Sequence, residues 1–160
     1  MPVTLFDYKT IQEDFKEILH GRWVRSQNLH LTLKFFGDTY DKEFLIQRLS
    51  SLNLQAEASE LKSLALLNEN KILYAQTQNP SLQRIHAQIQ KAFILPDEQA
   101  FIPHITLMRI KKIPDKIVLD EKIKKYEDKP IGKLHPKIEL IQSVLTPQGA
   151  KYTTLKVFGK

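Results

Sequence analysis

The spacing of hydrophobic positions changes several times along this chain, and each change marks an element. Ile11, Phe15, Ile18 and Leu19 fall at helical spacing, with Asp7 placed to cap the start and Gly21 the end, which predicts a helix over 8–20. Residues 22–25 and 28–36 read as extended, because Leu29, Leu31, Leu33 and Phe35 alternate with His30, Thr32 and Lys34. Gly37-Asp38 ends that run, and a second helix is expected from Asp41, with Phe44, Leu45, Leu49 and Leu52 on one face. Strands at 61–67 and 71–77 flank a turn at Asn68-Glu69-Asn70. Asn79-Pro80 supplies a cap and a first-turn proline for a helix whose stripe is Leu82, Ile85, Ile89 and Phe93. Pro96-Asp97 reads as a turn and 101–108 as a strand. Between 111 and 136 only a short helix near 120–126 stands out; the rest has loop character. Residues 137–145 and 152–158 form a hairpin with Gly149 in its connection, and Pro2–Phe6 leaves room for a short first strand.

Helix followed by strand occurs at 8–36 and again at 80–108. That order suggests an α+β fold of two lobes related by an approximate two-fold. At 160 residues the chain is expected to be one domain spanning 1–160.

Composition narrows the function classes. With 42% hydrophobic and 26% charged residues, this is an ordinary globular composition. No stretch approaches the ~18 apolar residues of a membrane helix, and the first residues lack the pattern of a secretory leader. The absence of cysteine excludes disulfides, zinc–thiolate sites and thiol nucleophiles, and fits a cytoplasmic protein. A net charge of +6 favours a polyanionic partner, nucleic acid first. The excess around Arg109, Lys111, Lys112, Lys116, Lys122, Lys124 and Lys125 is diluted by Asp115, Asp120, Glu121, Glu127 and Asp128, so that stretch is a mixed solvated face.

The chemistry lies in a repeated word. Residues 30–33 read His-Leu-Thr-Leu, and residues 104–107 read His-Ile-Thr-Leu. Side chains alternate along a strand, so each word shows an imidazole and a hydroxyl to one side and an aliphatic to the other. Two such strands facing each other put two imidazoles and two hydroxyls around one small space. Imidazole titrates near neutrality, so one ring can accept a proton while the other donates one. Displacement at phosphorus proceeds roughly in line, which requires base and acid on opposite sides. The hydroxyls of Thr32 and Thr106 would then hold the non-bridging oxygens. Arg109 would add a charge-assisted contact, provided that a bend near Leu107-Met108 brings it to the same face. No Asp or Glu stands at ligand spacing from His30 or His104, so no metal site is expected.

These residues resemble the two-histidine (2H) phosphoesterase superfamily, and within it the RNA 2′,3′-cyclic phosphodiesterases, also called 2′-5′ RNA ligases or LigT-like proteins. The resemblance spans roughly residues 8–158. Its first motif lies within Arg22-Trp23-Val24-Arg25-Ser26-Gln27-Asn28-Leu29-His30-Leu31-Thr32-Leu33-Lys34-Phe35-Phe36-Gly37, and its second is Pro103-His104-Ile105-Thr106-Leu107-Met108-Arg109. The C-terminal hairpin, with Ser143-Val144-Leu145, Gly149, Tyr152, Leu155 and Phe158, completes it. The resemblance implies a bilobal α+β fold with the active-site cleft between two pseudo-symmetric lobes, each an antiparallel sheet with outer helices, no cofactor, and opening of a 2′,3′-cyclic phosphate by water to a 2′-phosphate, with reversal giving 2′-5′ ligation. It implies His104 as general base, His30 as general acid, and Thr32, Thr106 and Arg109 as phosphate ligands. The expected partner is RNA with a 2′,3′-cyclic phosphate end, or a small cyclic nucleotide, acted on by a monomer. The alternative is a non-catalytic module that binds RNA ends or nucleotides.

Other residues are expected in plainer roles. His20 would complement the dipole at the end of the first helix, His86 would adjoin the apolar stripe of its helix at the surface or the edge of the core, and His135 would sit in a loop. Trp23, Phe35, Phe36 and Phe101 are expected in the core, with Phe36 and Tyr152 as candidates to stack on a nucleobase.

Overall fold

The structure is a computed structural model and describes residues 1–95 and 100–159. The turn expected at Pro96-Asp97 lies outside the described residues. Strands β1 (Val3–Leu5), β2 (His20–Trp23), β3 (Ser59–Leu67), β4 (Ile72–Thr77), β5 (Ile105–Lys112) and β6 (Pro130–Leu134) build a six-stranded antiparallel sheet in the order β1-β6-β3-β4-β5-β2. Strands β7 (Ile138–Thr146) and β8 (Gly149–Phe158) form a separate hairpin. Helices α1 (Tyr8–Phe15), α2 (Lys42–Ser50), α3 (Pro80–Ala92) and α4 (Lys116–Lys124) complete the α+β architecture.

The sheet curls on itself through the first motif. Leu31 donates its N–H to the Met1 carbonyl (2.9 Å), Pro2 bridges to His30, and Leu31 bridges to Ile105 of β5. The segment around His30 thereby joins the start of the chain to the fifth strand. It is short: after the two bridges at 30 and 31 the backbone leaves the ladder, so the extended run expected over 28–36 reduces to these residues. The aliphatics between the motif residues are buried, with Leu31 at 1% and Ile105 at 0% exposure. Together with Leu61, Leu73, Leu107, Met108 and Leu134 they form the core beneath the site.

Several elements depart from the pattern for local reasons. Helix α1 stops at Phe15, because the Ile18 and Leu19 N–H groups both return to the Phe15 carbonyl in a terminal turn. His20 therefore opens β2 and caps no helix. Strand β6 replaces the expected loop; Pro130 and Gly132 are poor strand residues and hide it from the pattern. At Gly132 the chain passes so close to β1 that a Cβ would lie 2.3 Å from the Thr4 carbonyl oxygen. Phe35, expected in the core, is 80% exposed, since the run after Leu33 has no ladder to turn it inward. Its neighbour Phe36 packs instead on Phe93 and Tyr40, with ring centroids 4.9 and 6.1 Å away.

Candidate active site

Register brings the two words together as neighbours. An antiparallel bridge at Leu31 and Ile105 sets His30 across from Thr106 and Thr32 across from His104. All four side chains lie on the face opposite the buried Leu31 and Ile105. The histidines occupy one diagonal of this square and the threonines the other. Diagonal positions on such a ladder are about 7–8 Å apart, a span that lets two rings reach opposite sides of one phosphorus. Where the pattern suggests facing strands, adjacent segments of one curled sheet provide the same arrangement more directly.

The rings are oriented by the same device. His30 Nδ1–H donates to the carbonyl of Asn28 (2.6 Å), and His104 Nδ1–H donates to the carbonyl of Ile102 (2.8 Å). A carbonyl can only accept, so in each ring Nδ1 carries the proton and Nε2 is left for chemistry. Each ring also meets the edge of a tyrosine: Tyr152 beside His30 (5.4 Å) and Tyr74 beside His104 (5.7 Å). Burial lowers the affinity of His30 for protons below the usual 6.5; the Asn28 carbonyl acts in the opposite sense, and the nearby charge of His104 adds to the lowering. Neither Thr32 nor Thr106 spends its hydroxyl on a hydrogen bond within the described protein.

Arg109 reaches this face through a bulge. Leu73 pairs with Met108 and Tyr74 with Thr106, so Leu107 is an extra residue on β5. Ile72 and Tyr74, two apart on β4, share a face, and their partners Arg109 and Thr106 must share it too. The bend required at Leu107-Met108 is this register shift. Arg22 pairs with Arg109 from β2 and stands on the same side.

Three supporting residues escape a reading of the sequence. Tyr74 sits in a run of four buried residues on β4 that looks purely structural. Tyr8 donates its hydroxyl to the carbonyls of Val24 (2.6 Å) and Leu107 (3.1 Å), tying the approach to the first motif to the strand of the second. Burial raises the Tyr8 hydroxyl above its usual range, which keeps it a donor. His86, expected at the surface or the edge of the core, ties the first motif to the segment leading into the second: Nδ1–H donates to the Leu33 carbonyl (2.9 Å), and the ring stacks on Phe101 at 4.3 Å. His135 is engaged with the Thr4 hydroxyl at 2.7 Å. Among the described residues no cluster of three His, Cys, Asp or Glu could hold a metal, and no helix is long and apolar enough to cross a membrane.

Comparison with known proteins agrees with this geometry. The family model described as "LigT like Phosphoesterase" matches residues 7–71. A protein of Methanocaldococcus jannaschii named RNA 2′,3′-cyclic phosphodiesterase is 33% identical over 154 residues, covering 91% of this chain and 87% of that protein. One of the same name from Aquifex aeolicus is 28% identical, covering 98% of this chain and 94% of its own length. Among solved structures, E. coli LigT complexed with 3′-AMP superposes with a TM-score of 0.69 at 19% identity, covering 94% of this chain and 89% of that one. The protein TT0787 of Thermus thermophilus superposes with a TM-score of 0.67 at 21% identity, covering 98% and 94%. Matching over nearly its whole length, with both His-x-Thr words on one face of the curled sheet, the chain belongs to the LigT-like family of two-histidine phosphoesterases.

Proposed function

We propose that this protein is a metal-independent RNA 2′,3′-cyclic phosphodiesterase that opens the cyclic end to a 2′-phosphate. The observation that carries the reading is the paired anchoring of His30 and His104. Two rings held through Nδ1 leave two Nε2 atoms on one face, diagonal to each other and each beside two unengaged hydroxyls. A module that only bound RNA ends would need cations and stacking surfaces, not two titrating groups oriented alike. The names of the relatives from Methanocaldococcus jannaschii and Aquifex aeolicus support the same substrate.

In this reading the cyclic phosphate binds over Thr32 and Thr106, with Arg109 neutralising a non-bridging oxygen. His104 Nε2 takes a proton from water as its oxygen attacks phosphorus. The P–O3′ bond breaks in line, and His30 Nε2–H protonates the departing O3′. The 2′-phosphate remains. A lowered proton affinity makes protonated His30 the readier donor, and the negative charge of the bound diester helps populate that form. Reversal, with an RNA 5′-hydroxyl attacking in place of water, would exchange the roles and give a 2′-5′ linkage.

The test is product analysis of a synthetic RNA with a 2′,3′-cyclic phosphate end, with and without chelator. A 2′-phosphate formed equally in both arms supports the proposal. A 3′-phosphate, a chelator-sensitive reaction, or tight binding without turnover would each overturn it.

A further inference from the structure

We infer that Arg22 and Arg25 form a second phosphate subsite, which takes the 5′-phosphate of the terminal nucleotide, so that the substrate is an RNA chain and not a free cyclic mononucleotide. The inference rests on the proposed reaction and extends the same face outward. Both guanidiniums converge on one neutral acceptor, the Gln148 carbonyl at the tip of the β7–β8 hairpin, at 3.4 Å from Arg22 and 3.2 Å from Arg25. Among the described residues neither arginine has a carboxylate within ion-pair distance. Two like charges held together with no counter-charge repel each other, and an anion between them relieves that repulsion.

The hairpin is shaped to this pair of cations. Gly149 adopts a φ of +114°, which favours glycine, and a Cβ there would stand 2.8 Å from Arg22 Nη2, so the guanidinium as placed lies directly against the tip. Location selects the ligand. Tyr152 lies against His30, and Gly149 is three residues back along β8, about 10 Å at strand spacing. Arg22 pairs with Arg109 on the face that carries Thr106. Cations therefore step outward from the cyclic end to a point one linkage away. Ten donors on two planar forks suit phosphate oxygens, which guanidinium binds bidentately.

Three substrates separate this subsite from the reaction centre: a nucleoside 2′,3′-cyclic phosphate, the same molecule with a 5′-phosphate, and a dinucleotide with a 2′,3′-cyclic end. For wild type, kcat/KM should rise at least about tenfold on adding the 5′-phosphate, with the dinucleotide similar. In the R22A/R25A double variant that preference should collapse toward one, mostly through KM. The salt slope of log kcat/KM on the dinucleotide should shallow by about 0.7. R22K/R25K should restore part of the preference, since charge returns without the fork. If the double variant slows all three substrates in the same proportion, the arginines only staple the hairpin and the subsite is wrong. If wild type already treats all three alike, it is wrong as well. If wild type turns over none of them, the proposed reaction itself fails.

Discussion

His104 and His30 are held alike at the ring and differently at the backbone. His104 immediately precedes β5, a strand paired on both edges by β4 and β2, and its tyrosine comes from β4 of the same sheet. His30 sits on a segment with only two isolated bridges, and its tyrosine comes from the separate β7–β8 hairpin. Tyr74 is 7% exposed and Tyr152 is 38% exposed. One half of the site is therefore a product of the ladder, while the other is assembled from loop, hairpin and chain start. An imidazole at the mouth of a strand paired on both edges keeps its position as long as the sheet survives. An imidazole on a bridged loop depends on each tertiary contact, and so its half is the more easily perturbed.

The sharpest break in the comparison is chemical. His30→Ala and His104→Ala should each lower kcat on a cyclic-phosphate RNA by about 10²–10⁴-fold, the usual contribution of a positioned acid or base. A diester with p-nitrophenolate as leaving group needs no acid. On that substrate His30→Ala should regain most of its loss and His104→Ala should not. The opposite pattern would reverse the division of labour, and equal losses on both substrates would show that neither ring acts as the acid.

The threonines come next. Thr32→Val and Thr106→Val keep the strand shape and remove one hydroxyl each. Each should lower kcat/KM by about 10²-fold if the hydroxyls stabilise charge on the phosphate. Thr106 lies on the ladder and Thr32 beyond it, so the double variant should depart from additivity if both hydroxyls act at once on one phosphate, and should add if they act independently. A Thr32 variant with wild-type rates would confine phosphate binding to the β5 half.

How much of this is legible in the chain depends on whether the information is local. Alternation across His-x-Thr-Leu specifies which side chains share a face, and it holds at Leu31 and Ile105. Asn79 caps α3 through the Ser81 N–H, as its position before Pro80 suggests. The turn at Asn68, Glu69 and Asn70 takes positive φ at all three residues. What cannot be read is long-range. Nothing near Tyr74 or His86 in the chain announces a partner at His104, Leu33 or Phe101. The bulge at Leu107 is visible only once β4 is beside β5. Strand β6 escapes the pattern because its proline and glycine speak against a strand locally, while close passage against β1 requires the glycine.

His86 tests the clamp between the halves. His86→Phe retains a ring to stack on Phe101 and loses the donor to the Leu33 carbonyl. We expect kcat to fall several-fold with KM little changed, because the Leu33 end of the first word loosens while the second word stays on its ladder. His86→Asn, which returns an N–H donor, should recover part of that loss. An unaltered kcat in His86→Phe would show that the bridged segment needs no support from α3.

The smallest expected effect reads the unequal burial directly. The proposed mechanism requires one ring neutral and the other protonated, so in it the low-pH limb of kcat/KM follows the lower of the two proton affinities, whichever ring is the base. That limb can lie no higher than the value for His30, which burial holds below 6.5. Activity in wild type should therefore persist at pH values where an ordinary histidine is mostly protonated. Tyr152→Ala admits water beside His30, removes part of the burial, and should move the limb upward toward 6.5. Tyr74→Ala opens the other ring and should leave the limb in place, although the loss of a buried aromatic will lower the unfolding midpoint. If the two tyrosine variants move the limb equally, the halves are electrostatically equivalent, and the hairpin does not shelter His30 beyond what the sheet already provides.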